Sequence, residues 1–434
     1  MIRYIKIAGK RISISTLVYI VYIVYYISGY NGPGHNYIQT AMFILWNVVA
    51  LWEDRGSYQR ALGSVPNLFL GGFLLFYFFS SAIVASFVYT LEYIMKYLML
   101  YGCFMQFLYY KNKNNREEMK RIVGVALLAF AYFAIRAIIF YIQNPAAART
   151  LAANYYAFDT ITIGGGYRIA FGVAILAVGL FELLIKGRIA ATATKKVLIL
   201  LMVALFVFLL VKTESTITLM ASVMGLVLSV ISRVAFGKET EARISKRRTV
   251  GMSLIFLLIV FLLLNIQNIG TALMELSGDD MDNLFNRRFF RIGEKLSDFG
   301  NEEGASNYVD VRLETAKTSW RTFLQHPLLG VGYKSGNVFK NLSNFGVGNH
   351  STFFDALAQH GIIGSSLFFA FLYTAIKEVN RRLKCSSYMG TLFLMVVFNP
   401  FNYFHGFFAV FTLLPLLGCL CDNDEQVNKL EENA

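Results

Sequence analysis

A histidine stands at position 350 in the stretch "GVGNHSTFFDALAQHGIIGSS", residues 346–366, between a glycine-rich segment and an apolar run. An imidazole titrates near neutral pH and can accept a proton from a hydroxyl. Ser351 is suited to cap a helix beginning at Thr352, which sets His350 just outside that helix and Asp355 over its first turn, within reach of the histidine. Phe353, Ala356, Leu357, Gly361 and Gly364 follow helical spacing, and the small residues admit a close neighbouring helix. Three arginines could supply fixed positive charge: Arg136 inside the apolar "AYFAIRAIIF", Arg168 after the glycines of "IGGGYRIAFG", and Arg312 in "VDVRLETAKTSW". Guanidinium grips a diphosphate through paired charge-assisted hydrogen bonds and does not deprotonate. Taken singly, each arginine also reads as an interfacial anchor or a loop salt bridge, and the histidine as a structural or interfacial group. Metal ligation is the poorer reading: His360 is ten residues away and no Cys or His cluster completes a site.

The elements that must position these groups are membrane spans. The chain has 434 residues, 56% hydrophobic and only 15% charged, where a soluble domain carries about 25% charged residues. Apolar runs long enough for a hydrocarbon core of about 30 Å recur throughout. Spans are expected near 12–30, 36–53, 66–83, 87–110, 119–142, 166–186, 196–212, 215–235, 249–268, 357–376, 387–402 and 405–421. This makes an all-α polytopic membrane protein of about twelve transmembrane helices, one transmembrane domain over residues 1–434. The net charge of +13 would suggest nucleic acid in a soluble protein. Here the Lys and Arg gather on alternate loops, the positive-inside pattern, so both termini are expected in the cytoplasm and no nucleic-acid partner is implied. The first run lacks an A-x-A cleavage site and is long enough to cross, so it reads as a span rather than a signal peptide. Cys103, Cys385, Cys419 and Cys421 fall in spans or on the cytoplasmic side, which implies no external disulfide framework.

Two external segments stand out. Residues 143–165 form a moderate loop, and residues 269–350 form a far longer one between the ninth and tenth spans. The long loop contains "NLFNRRFFRIGEKL", an amphipathic helix with Arg287, Arg288 and Arg291 on one side. Residues 309–325 have helical spacing, with Val309, Leu313, Ala316, Trp320, Phe323 and Leu324 on one stripe. Pro327 stops that helix, and Gly330, Gly332 and Gly336 mark turns. Charged residues within spans default to a functional reading. Glu92 and Lys96, four apart, can pair on one helix face. Arg136 has no carboxylate at helical spacing in its own span and must find a partner on another helix, in a water cavity or in an anionic ligand.

His350, Ser351, nine residues, then Gly361-x-x-Gly364 resembles the H-[NSQ]-x9-G-x-x-G signature of the O-antigen ligase and polymerase superfamily. The preceding "VRLETAKTSWRTFLQHPLLGVGY" is similar to that family's block of an arginine, an aromatic-containing helix and a P-L-x-G-x-G turn. The motif resemblance covers Val309 to Ser365; the order of spans and long loop resembles the family over nearly the whole chain. The resemblance implies a GT-C-type glycosyltransferase that uses neither metal nor nucleotide sugar and needs no cofactor. Its donor is a glycan on undecaprenyl diphosphate at the outer face of the bacterial cytoplasmic membrane, and its acceptor is a sugar hydroxyl. By the family pattern His350, Arg312 and Arg168 are the catalytic groups. Ser351, Arg136, Lys212, Arg288, Arg291, Trp320 and Tyr333 are substrate-binding candidates, the aromatics, with Tyr308, by stacking on sugar rings.

The chain departs from the family at "KTESTIT", Lys212 to Thr218, where Thr216 stands in place of the arginine of a Thr-x-Ser-Arg element; Lys212 or Arg136 is the candidate replacement. Within the family the acceptor decides between a polymerase of O-antigen or capsular repeat units, the preferred reading, and a ligase that moves a finished glycan to lipid A core or to protein. A chain-length regulator is a further candidate partner. The rival class is a transporter or flippase for a lipid-linked glycan. It shares the spans and the intramembrane arginine, but it predicts a two-fold internal repeat and a pair of Gly/Pro-broken spans, and the sequence has neither.

Overall fold

A computed structural model describes residues 4–7, 10–28, 35–84, 87–144, 166–187, 192–213, 216–236, 266–278, 284–297, 307–332, 347–348, 351–383, 387–398 and 404–418. The chain opens with an antiparallel hairpin, β1 (Tyr4–Ile7) and β2 (Lys10–Ser13), paired from Tyr4 opposite Ser13 to Ile7 opposite Lys10. Helices follow: α1 (Ile14–Ile27), α2 (His35–Glu53), α3 (Arg55–Leu62), α4 (Val65–Val84), α5 (Phe87–Lys113), α6 (Arg116–Gln143), α7 (Gly166–Ile185), α8 (Ala193–Lys212) and α9 (Thr216–Phe236). Within and after the long loop come α10 (Ile266–Leu276), α11 (Leu284–Ser297), α12 (Asn307–Gln325), α13 (Thr352–Leu383) and α14 (Ser387–Phe398). The last apolar helix, α15 (Phe404–Phe408), passes through a π-helical turn at Ala409–Leu413 into α16 (Leu414–Leu417).

Each expected span except 249–268 coincides with a helix; of that one, residues 249–265 lie outside the described residues. Among the described residues four helices are both long and apolar enough to cross a membrane, Arg116–Gln143, Arg168–Ile185, Ala193–Lys212 and Thr352–Arg381. A fifth is the pair Arg55–Leu62 and Val65–Ser81, bent by 63°. Ile14–Ile27, Thr218–Ile231, Ser387–Val397 and His405–Leu417 are shorter apolar helices. The first expected span is trimmed at its start because residues 10–13 belong to the hairpin and Ser13 caps α1, accepting from the Thr16 N–H at 3.3 Å. The chain is an all-α, multi-pass membrane protein.

α7 is the central element: from Ile169 to Leu180 its apolar side chains are buried, packed against α8, α9, α14 and α15. The end of the bundle that carries the basic loops is fixed by buried charge. Lys113 Nζ meets Glu53 at 2.5 Å and Glu118 at 2.6 Å and donates to Ser13 Oγ at 2.9 Å. The same carboxylates accept from the Ser15 N–H and the Thr16 hydroxyl, each at 2.9 Å. One lysine thereby joins the hairpin, α1, α2, α5 and α6, which suits buried charges that must be paired and hydrogen-bonded. Lys111 pairs with Glu378, and Glu182 accepts from Lys186 and from the Ser387 N–H, tying α5, α7, α13 and α14 at that level. Lys96 is exposed, and the Glu92 side chain lies outside the described residues. Cys103 is buried and free; Cys385, Cys419 and Cys421 lie outside the described residues.

Candidate functional site

The opposite end is built where α12, the turn after it and the start of α13 meet. α12 has the expected extent but faces the other way. Its buried side carries Thr315, Thr318, Ser319 and Thr322, packed on α13, while Trp320 and Leu324 from the expected apolar stripe stand exposed. The reason is closeness of approach. Hydroxyl side chains are short and satisfy themselves locally, as Thr318 does by donating to Glu314 O at 2.8 Å, so the helix can lie near a neighbour. Ser319 shows what the closeness achieves. Its Oγ accepts from the Gly348 N–H at 2.9 Å and donates to Asp355 Oδ1 at 2.7 Å. A Cβ on Gly348 would come 2.3 Å from Thr315 O, so only glycine fits against the α12 backbone there.

Asp355 completes the corner. Its Oδ2 accepts from the Ser351 N–H at 3.0 Å, while Ser351 Oγ accepts from the Phe354 N–H at 3.3 Å. The N-cap assigned to Ser351 is present, with Asp355 as its reciprocal partner in the manner of a capping box. Gly348 on one side and Ser351 on the other are thus tied through Ser319 and Asp355, and both are buried.

The turn after α12 makes the second junction. α13 is broken at Gly361, where φ is 60° and ψ is −168°, a conformation open to glycine alone. The break frees backbone groups, and the Pro327–Gly330 turn takes them up. Ile362 N–H donates to Pro327 O at 2.7 Å and Val331 N–H to Ala358 O at 3.0 Å. Gly330 and Gly361 face each other: a Cβ on Gly330 would lie 2.5 Å from Gln359 O, and one on Gly361 would lie 2.4 Å from Leu328 O. Gly364 does what its type suggested, since a Cβ there would reach 2.4 Å from the Phe76 ring of α4. Helical spacing through Gly361 is therefore corrected to two helical segments joined at a break.

The sequence-derived candidates divide as follows. His350 and Tyr333 lie outside the described residues, as do the side chains of Arg312 on α12 and of Arg288 and Arg291 on α11. Arg168 begins the buried part of α7, and its charge acts on His405 at the start of α15. His405 Nε2 lies 3.2 Å from Ile27 O, and a Cβ on Gly172 would come 2.8 Å from His405 O, so α1, α7 and α15 converge there. Arg136 does have a partner in its own span: its Nη1 donates to the Tyr132 hydroxyl at 3.0 Å, one turn back, with the guanidinium 5.9 Å from that ring. Tyr132 is exposed, so this pair sits on the outer side of α6. Lys212 ends α8 with its ammonium 5.7 Å from the Phe208 ring. Among the described residues no group of three or more His, Cys, Asp or Glu is placed to hold a metal ion.

Ser319 and the Gly330–Gly361 contact are what sequence reasoning missed. A serine between threonines gives no pattern that marks it as a bridge, and a glycine at helical spacing does not announce a positive φ.

No curated protein matches the chain. A family model does, over residues 161–369, and it is described as O-antigen ligase. The matched stretch runs from before α7 to the middle of α13, and so includes the Ser319–Asp355 bridge and the docked turn. Over residues 161–369 this membrane protein is thus similar to the O-antigen ligase family.

Proposed function

We propose that the chain is a GT-C-type glycosyltransferase of about twelve spans, both termini cytoplasmic, in the bacterial inner membrane. It polymerises undecaprenyl-diphosphate-linked repeat units of O-antigen or capsular polysaccharide at the outer face. The observation that carries the reading is the double tie of the corner around position 350. The tie holds Gly348 and Ser351, the described residues on either side, to α12 and α13. Such restraint is what a proton acceptor near a reacting hydroxyl requires.

In this reading the acceptor hydroxyl attacks the anomeric carbon of the donor glycan and the sugar–phosphate bond breaks. The electron pair leaves with the lipid diphosphate, and the hydroxyl proton passes to His350. Arg168 and Arg312 offset the charge growing on the diphosphate; fixed cations in a partly dry site do this without reorganising. The proton transfer is typically worth about 10²–10⁴-fold. Lys212 supplies positive charge where the sequence lacks the family arginine near Thr216.

A second reading, transfer of the finished glycan to lipid A core, is favoured by the description of the matching family model, O-antigen ligase. Glycan from a deletion strain separates the two: single repeat units on lipid core identify a polymerase, unattached long polymer a ligase. His350→Ala should abolish polymer while the protein still accumulates in the membrane; wild-type chain length in that variant refutes the role. Polymer formed by purified protein from lipid-linked repeat units alone excludes a transporter.

A further inference from the structure

The exposed stripe of α12 has an occupant that the geometry identifies. Trp320 is 42% exposed and Leu324 58%, and the turn that follows exposes Leu328 at 63% and Leu329 at 54%. These residues adjoin Ile362 and Ile363 of α13, themselves 46% and 44% exposed, because Ile362 N–H bonds Pro327 O. The apolar surface is therefore continuous from the loop helix onto a helix long and apolar enough to cross a membrane.

Depth follows from α13. It carries no Asp, Glu, Lys or Arg from Ala356 to Ile376, with Asp355 just before and Lys377 just after. At 1.5 Å per residue that run is about 31 Å long, the thickness of a hydrocarbon core of about 30 Å. The turn bonds to α13 between Ala358 and Ile362, roughly 3–9 Å inside the boundary on the same rise per residue. A turn at that depth must have its backbone groups satisfied by protein. The break at Gly361 supplies partners, and Pro327 brings no N–H to satisfy.

Charge agrees. Successive residues turn by about 100°, so α12 has three faces: the buried hydroxyl face, the exposed apolar stripe, and an edge bearing Glu314, Lys317 and Arg321. Lys317 pairs with Glu314 at 2.7 Å on that edge, and Arg321 is exposed. Because Ser319 meets Asp355 and Pro327 meets Ile362, α12 descends beside α13, its charged edge ending at Arg321 near the boundary and its apolar stripe continuing toward the acyl chains.

We propose that the α12 stripe and the Pro327–Gly330 turn are inserted in the bilayer leaflet at the Thr352 end, with Trp320 and Leu328 in contact with lipid. The placement is independent of the glycosyl-transfer reading, and it removes Trp320 from the residues that stack on sugar.

The test uses purified full-length protein in phosphatidylcholine liposomes. Trp46, Trp52 and Trp320 are the three tryptophans, so the wild-type emission minus that of Trp320→Phe isolates Trp320. Lipid brominated on the upper acyl chain should quench this difference emission, and aqueous acrylamide should leave most of it. Quenching by acrylamide with none by brominated lipid overturns the proposal. Independently, Leu328→Cys should resist a charged, impermeant maleimide until detergent is added. Labelling above the wild-type background before detergent overturns it as well.

Discussion

Replacing Gly361 by alanine tests whether the docked turn, rather than the helix it docks on, makes the site. The φ of 60° with ψ of −168° costs a non-glycine residue about 1–3 kcal/mol. The new Cβ would also lie 2.4 Å from the Leu328 carbonyl and 2.6 Å from Gly330 N. Those are backbone atoms, which no rotamer change can move, so the turn must leave. Leaving gives up the bonds from Ile362 to Pro327 O and from Val331 to Ala358 O, about 0.5–1.5 kcal/mol each. Those bonds favour docking in both proteins, so the strain alone, about 1–3 kcal/mol, shifts the docked-to-undocked ratio by roughly 5-fold to more than 100-fold, and the clash adds to it. The bundle itself escapes, because alanine favours an unbroken α13.

The expected outcome is a protein that accumulates in the membrane near wild-type level, loses long glycan on a gel, and becomes cleavable by protease between α12 and α13. Two controls bracket the result. Gly71→Ala meets nothing within 4 Å and should be silent. Gly364→Ala meets the Phe76 ring at 2.4 Å and the His360 Cβ at 2.7 Å, not the backbone of the turn, and should cost about 1–3 kcal/mol of stability without releasing the turn. A Gly361→Ala variant with wild-type glycan and unchanged protease resistance would refute the reasoning.

Ser319→Ala takes the acceptor from the buried Gly348 N–H; leaving a buried group unpaired costs about 1–3 kcal/mol, so thermal unfolding in detergent should shift down and polymer should shorten. Lys113→Met leaves Glu53 and Glu118 buried without their cation, a loss of about 3–5 kcal/mol. It should empty the membrane fraction of protein, and adding Glu53→Gln and Glu118→Gln should restore much of it. Asp54 caps α3, accepting from the Ser57 N–H at 3.0 Å. Partial burial pushes its carboxyl up, but the hydrogen bonds from Ser57 and the charges of Arg60 and Lys113 hold it below 3.8. Its contribution is therefore complete above that value and is lost as pH falls through the lower folded one. An acid titration of stability should lose this step in Asp54→Asn, which still caps.

The bundle was legible because hydrocarbon and protein core both demand apolar residues, so runs such as 119–142 and 196–212 mark helices whichever they face. The same equivalence hid the direction of α12. Trp320, Phe323 and Leu324 give the periodicity of a buried stripe, yet a stripe against lipid has the same period, and a short hydroxyl such as Thr318, satisfied on its own helix, can cover a core. The hairpin at Tyr4–Ser13 was not legible either, since Lys6, Lys10 and Arg11 read only as charge. Arg136 was expected to need a remote partner because carboxylates were sought; a phenol one turn away serves instead.

The spacing of the signature now has a structural meaning. Ser351 caps α13, and Gly361 breaks it ten residues later, close to three helical turns and about 15 Å of axial depth. The turn closing α12 is received there, and α12 from Ser319 to Pro327, about 12 Å, runs beside α13 from Asp355 to Ile362, about 10 Å, since Ser319 bonds Asp355 while Pro327 bonds Ile362. The two motifs are one measured fit: a deletion of one residue between Ser351 and Gly361 would rotate the break by about 100° and turn it away from Pro327. The glycines thus set how the turn after α12 seats on α13, and a loss of activity on changing them reports geometry, not chemistry.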